Sequence, residues 1–371
     1  MILFMSVFII VALIGIAINC SKQHIFITLG QGKAKIDLER LYLVISITVM
    51  FLLCALRDGS IGVDTETYLD TFLYQDILMS TVNGNNKFEF GYRLFIDFLR
   101  LFTDNPQVYI FATSLIMCTG MYIFIERYCK ENYCLSILIF MAFIYYSFFS
   151  AIRQSMALSI AINSFGYIGD RKWIKAILLI LLGGSFHYTA LLLLAFIPFT
   201  FTQWTKRKII LALLGSVAVA FMFNRLVELV IGMFPIYDRY WNSDMMQAEK
   251  ANSGTFVALI TALCIFSLIN LIIKKERFTK QQERSYYIAA LIGTIFCITI
   301  NILGMNQGIF SRMTRYFIPF VMVLTVSTCK YYIKKYPPIF CLGMAFLMGV
   351  YFYVKMNSNI YQIIPYRFFF E

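Results

Sequence analysis

Runs of 16–26 mostly apolar residues recur from one end of this 371-residue chain to the other, with short polar connections between them. A helix rises 1.5 Å per residue, so about 20 residues cross the roughly 30 Å of bilayer hydrocarbon. Isolated strands would leave backbone groups unpaired in lipid, so the helix is the spanning element. The runs predict spans near 1–20, 41–56, 107–126, 134–149, 151–168, 175–186, 188–203, 209–234, 255–273, 285–305, 316–329 and 338–355. The chain therefore reads as an all-α integral membrane protein of about twelve transmembrane helices, a single polytopic domain over 1–371. Its 14% charged residues fall well below the roughly 25% of a soluble domain. The first run has no basic stretch ahead of it and no small-residue cleavage site, and is expected to be a retained span.

The net charge of +12 could point to nucleic acid, but its distribution does not. With the amino terminus outside, alternate short connections gather 20 of the 32 basic residues on the inner side, as the positive-inside rule requires. The surplus charge is topological, and no nucleic-acid partner is expected. Of the twelve basic residues left for the outer side, nine are arginine, against six of the twenty inside. Lysine suffices as a diffuse topological charge, whereas arginine offers a planar fork to phosphate or carboxylate. The outer face thus looks built to hold an anion, the competing reading being that these arginines pair with acids on the same side.

The longest outer segment, 57–106, opens with RDGSIGVDTETY, residues 57–68. One reading makes it the lip of a cavity, with Arg57 facing an anion, Gly59 and Gly62 letting the backbone approach and Asp64 nearing an acceptor. The other pairs Asp58 with Arg57 and leaves the glycines to make a turn. Asp64 and Glu66 also form a DxE pair able to hold a divalent cation through oxygen, but four arginines would make a metal redundant, and neither metal nor cofactor is expected. Further on, 92–104 sets Arg93, Asp97, Arg100 and Asp104 on one helical stripe, a pattern that suits an interfacial helix with a solvated charged face. Glu89, in FEFGY, stands among aromatic residues and a glycine.

Two histidines occur. His24 falls in an inner connection. His187 interrupts an apolar stretch from 176 to 201, and the charge rule is kept only if that stretch turns back near Gly183, Gly184 and His187. Twelve residues from Lys175 give about 18 Å of helix, short of the membrane's thickness. His187 is therefore expected below the outer surface, where an ionisable group marks a functional site. Arg153 opens a span rich in serine and alanine that allows close helix approach. Arg312 and Arg315 stand three apart, beside Tyr316. The nine cysteines form no CxxC pattern and read as small apolar fillers. No phosphate-binding loop, dinucleotide fingerprint, zinc motif or nucleophile elbow occurs.

A membrane protein holding an anion on its outer face, where no nucleotide sugar is supplied, suggests a lipid-linked diphosphate as the activated compound. Arginines in a low-dielectric cleft stabilise the departing diphosphate, and a carboxylate or imidazole takes the proton of an acceptor hydroxyl. Asp64, Glu89 and His187 are the candidates for the base, and Arg57, Arg153, Arg312 and Arg315 for the clamp.

RDGSIGVDTETY after the second span, FEFGY, AIRQSMALSIA, GGSFHYTALLLLAFIP, SRMTRYF and the late IIPYRFFF, in this order, together resemble the EpsG family of Wzy-type polysaccharide polymerases over nearly the whole chain. The resemblance implies a bacterial inner-membrane glycosyltransferase joining undecaprenyl-diphosphate-linked oligosaccharide repeats into O-antigen or exopolysaccharide, with an architecture similar to GT-C membrane glycosyltransferases. Its expected partners are that lipid-linked substrate, membrane lipid and a chain-length regulator. Arg57, Gly62, Asp64 and Tyr68 match the first motif, Glu89 the second, Arg153 the third, His187 the fourth, and Arg312, Arg315 and Tyr316 the fifth. A flippase or transporter for the same lipid-linked sugars is the rival from another class, and a GT-C transferase or O-antigen ligase the rival within enzymes. A transporter is expected to line a path across the whole membrane, whereas here the ionisable groups gather on one face.

Overall fold

The computed structural model describes residues 1–21, 25–29, 32–81, 88–202, 204–233, 254–274, 281–303, 312–335 and 337–371. His24, Lys87, Arg239 and Lys250 lie outside the described residues. The described chain is helical apart from a small antiparallel hairpin, β1 (Ile25–Leu29) with β2 (Gly32–Ile36). In chain order the helices are α1 (Ile2–Ser21), α2 (Leu38–Ala55), α3 (Thr65–Thr81), α4 (Phe90–Arg100), α5 (Pro106–Tyr128), α6 (Tyr133–Phe143), α7 (Ile152–Ala161), α8 (Ser164–Gly169), α9 (Trp173–Phe186), α10 (Leu192–Phe196), α11 (Lys206–Met233), α12 (Gly254–Lys274), α13 (Gln281–Leu303), α14 (Ile318–Lys335) and α15 (Pro337–Ser358).

Each expected span carries helix, but some are broken. The run 134–149 is α6 followed by a 3₁₀ turn over Tyr145–Phe149, and 151–168 divides into α7 and α8. Among the described residues five helices are long and apolar enough to cross a membrane, over Ile2–Cys20, Leu38–Ala55, Pro106–Tyr128, Tyr286–Leu303 and Ile339–Ser358. Polar residues start several of the helices. Asp37 caps α2 by accepting from the amides of Glu39 and Arg40, Asn105 caps α5 ahead of Pro106, and Asn132 caps α6.

The described residues form two compact units. The first comprises Met1–Ser164, Trp173–Leu192 and Lys330–Glu371, and the second Phe165–Lys172 and Leu193–Cys329. In the first, α7 packs between α5 and α9. Small residues allow this, as the Ser- and Ala-rich sequence of α7 predicts: a Cβ at Gly183 of α9 would stand 2.8 Å from the Ala157 carbonyl, and one at Gly120 of α5 would collide with Ser159. In the second unit a hydroxyl pair, Ser267 and Thr325, joins α12 to α14 at 2.8 Å, and Asn301 of α13 donates to Thr261 of α12 at 3.1 Å.

Between α3 and α5, α4 buries Tyr92 and Ile96 while leaving Phe90, Leu94 and Phe98 exposed. An apolar face turned outward fits a helix lying in a membrane interface. The charged stripe is only partly solvated, with Asp97 and Asp104 exposed but Arg93 and Arg100 half-buried.

Candidate active site

The loop before α3 is tightly set. Gly62 adopts φ +103°, a backbone conformation open to glycine, and a Cβ there would overlap the Phe149 carbonyl. Thr65 Oγ1 donates to the carbonyls of Ile61 (2.7 Å) and Phe149 (3.0 Å). One residue on from Phe149, Ser150 Oγ donates to Asp64 Oδ2 at 3.3 Å. The loop 61–65 is thereby fastened to the residues that lead into α7.

Arg57 takes part in this fastening, with its guanidinium turned inward. It is 0% exposed, donates from Nη1 to the Cys54 carbonyl at 2.7 Å and to Cys54 Sγ at 2.9 Å, and lies 5.4 Å from the centre of the Phe149 ring. Its guanidinium folds back on the carboxyl end of α2, where the helix dipole favours a cation. The competing reading of this loop, an Arg57–Asp58 pair, is not what forms either. Asp58 instead accepts from Ser60 Oγ (2.6 Å) and from the Ser60 amide (3.0 Å), and these bonds hold its carboxyl below the usual range.

The cluster that brings catalytic candidates together centres on Glu89, 4% exposed at the start of α4. Its Oε2 meets Arg153 Nη1 at 2.5 Å, and its Oε1 lies 2.8 Å from His187 Nδ1 and accepts from the Tyr188 amide at 3.3 Å. Burial opposes ionisation of Glu89, but the hydrogen bond with His187 and the charge of Arg153 outweigh it, so its pKa is lowered from the usual carboxyl value. An ionised carboxylate only accepts, so Nδ1 donates to it, and Nε2 is the ring nitrogen not engaged by Glu89. His187 stands where α9 ends at Phe186, in an extended conformation (φ −159°, ψ 121°), before a 3₁₀ turn over Tyr188–Leu191. The apolar stretch 176–201 breaks at this residue.

Arg153, the second residue of α7, is boxed by rings, with Phe88 4.6 Å and Tyr68 and Tyr92 each 5.6 Å from the guanidinium carbon. Its Nε donates to Tyr68 Oη at 3.4 Å. Aromatic faces and one carboxylate hold the cation while leaving its side chain 19% exposed, against 28% for His187 and 5% for Glu89. No side chain caps α7, so its first amides add to the positive potential beside Arg153.

Arg153, His187, Glu89 and Tyr68 thus meet, with Asp64 one hydrogen bond away from the segment ahead of α7. Phe88, Tyr92 and the Tyr188 amide complete the site without having been picked out from sequence, although FEFGY and the residue after His187 contain them. Arg312, Arg315 and Tyr316 belong to the second unit, in a turn ahead of α14 where Arg315 and Tyr316 are buried. Among the described residues no group of three or more histidine, cysteine or acidic side chains could hold a metal ion.

The sequence model of the EpsG family matches residues 40–368, which include every residue of the cluster. The chain belongs to the EpsG family. EpsG proteins are Wzy-like polymerases, which gives the chain a polysaccharide polymerase-type role in general and makes its apolar helices those of a multi-pass membrane protein. No curated protein and no solved structure matches it.

Proposed function

We propose that this EpsG protein is a glycosyltransferase of GT-C-like architecture that lengthens a polysaccharide on the outer face of a bacterial cytoplasmic membrane. The donor is a glycan chain on polyprenyl diphosphate, and the acceptor is a hydroxyl of an incoming lipid-linked repeat. The acceptor oxygen bonds to the anomeric carbon as that carbon's bond to the diphosphate oxygen breaks. The electron pair leaves with the polyprenyl diphosphate, and the acceptor proton passes to His187 Nε2.

One observation carries this reading. The Glu89 carboxylate joins a cation suited to diphosphate to an imidazole suited to proton transfer. Arg153 stabilises the charge gathering on the leaving group, a role in which one lost donor costs about 10²–10³ in rate. Glu89 fixes the tautomer and ring orientation of His187, and its own oxygens are too fully engaged to serve as the base. Asp64, tied to Ser150, contributes to the acceptor side, and Arg312 and Arg315 are proposed as further contacts to the lipid-linked substrates. Arg57 supports the loop and does not enter the reaction.

The test uses purified protein in detergent with lipid-linked repeat units. A ladder of products, lost in Arg153→Ala and His187→Ala at undiminished yield of folded protein, supports the enzyme. A transporter forms no new glycosidic bond, and a ligase adds a finished chain once, so no product or a single step overturns the polymerase reading.

A further inference from the structure

Beyond α15 the chain does not leave the first unit but turns back across the loop that precedes α3. Asn359 makes the turn. Its Oδ1 accepts from the amides of Ile363 (2.9 Å) and Ile364 (3.0 Å), its Nδ2 donates to the Ile364 carbonyl at 2.5 Å, and Asn359 and Gln362 take φ of +45° and +50°. The segment then binds the loop by backbone. The Gly62 amide donates to the Gln362 carbonyl (3.1 Å), Val63 to Tyr361 (3.3 Å), Asp58 to Arg367 (3.0 Å), and Phe369 returns a bond to Leu56 (3.0 Å). Tyr366 Oη donates to the Leu53 carbonyl at 2.7 Å.

Few side chains of this segment are fully buried, although Tyr361 and Tyr366 meet the rings of Tyr146 and Phe4. Of residues 359–371 only Ile363 is buried. An element that served only the core would bury its apolar groups, and this one leaves Phe369 and Phe370 exposed at 45% and 66%. What it does supply is partners for loop amides that no helix or sheet satisfies.

We infer that residues 359–371 are a positioning strap for the active site, holding the loop 56–63 so that Gly62–Thr65 fix the start of α7 and with it Arg153. The inference rests on the reading of the Glu89 cluster as that site. The path is short. Gly62, held by Gln362, sits beneath the Phe149 carbonyl, which also accepts from Thr65. Ser150 is tied to Asp64, Ala151 is the N-cap of α7, and Arg153 follows two residues later. The same loop sets the first turn of α3, where the Tyr68 amide bonds the Asp64 carbonyl and Tyr68 Oη meets Arg153 Nε. The backbone and one side-chain partner of Arg153 therefore both depend on the loop. A shift of about 1 Å in a positioned group is enough to cost on the order of 100-fold in rate.

The experiment compares full-length protein with a variant lacking 360–371 and with Asn359→Ala, each assayed per folded molecule for ladder formation from lipid-linked repeats. The deletion is expected to lower kcat at least tenfold with KM little changed, and Asn359→Ala to lower it about threefold. A peptide of residues 359–371 added to the deleted protein should restore turnover, and a scrambled peptide should not. Where the deletion does not fold, Asn359→Ala and Tyr366→Phe carry the test. Full kcat in the folded variants overturns the strap. If Arg153→Ala and His187→Ala also retain full activity, the active-site reading itself has failed; if they are dead while the strap variants are normal, only the strap has.

Discussion

Arg57 and Arg153 open two neighbouring regions of the first unit, and both lie over aromatic rings, yet their partners differ. Arg57 is sealed from solvent, has no carboxylate partner among the described residues and donates to the end of its own helix. Arg153 shares a buried carboxylate with a histidine and keeps an exposed edge. What separates the two arginines is the partner. A backbone carbonyl uses guanidinium geometry, whereas a carboxylate shared with imidazole couples the cation to a group that can move a proton.

Substitutions should sharpen the contrast, those in the cluster lowering turnover per folded molecule and those in the loop lowering the amount folded. The largest effect is expected at His187. His187→Gln should cut polymerisation by about 10²–10⁴, the usual worth of a general base, while thermal melting in detergent stays near wild type because the ring is partly exposed. Arg153→Gln should lose about 10²–10³ in kcat, measured as ladder formation at saturating substrate. A smaller change, of the other kind, is expected from Arg57→Met. It should lower folding stability by about 1–3 kcal/mol through the orphaned Cys54 carbonyl, with turnover per folded molecule within about threefold. Equal loss of turnover in Arg57→Met and Arg153→Gln would dissolve the distinction.

The weakest expected effect is on pH. Because the Glu89 carboxyl is held below its ordinary value of 4.5, the stability it contributes is present above that pH and is lost as the pH falls through its folded-state pKa. Melting followed from pH 6 downward should therefore drop less steeply in Glu89→Gln than in wild type.

Much of this was legible in sequence because lipid is a demanding solvent. The apolar runs are carried by helices, and the break at His187 follows from a stretch too short for two full crossings and too charged at both flanks for one. Glu89 stood out as an acid among aromatics, and Arg153 as a cation beside a Ser- and Ala-rich face. Their meeting with His187 was not legible, since Arg153 and His187 lie 64 and 98 residues from Glu89 and the packing of α9 against both α7 and α4 brings the three together. The inward turn of Arg57 was not legible either, because composition reports that a charge is present, not which way it points. The strap was invisible for a further reason. Its bonds to the loop are made by backbone groups, which every residue carries, and the Tyr366 hydroxyl in IIPYRFFF, which reaches the Leu53 carbonyl, does not by itself reveal them.

The sharing of Glu89 also limits how this protein can vary. Glutamine at 89 would keep a hydrogen bond but surrender the charge, and aspartate would fall short of one neighbour or the other. A change at 89, 153 or 187 is felt at once by the other two, so variation in this cluster should alter the three as a set.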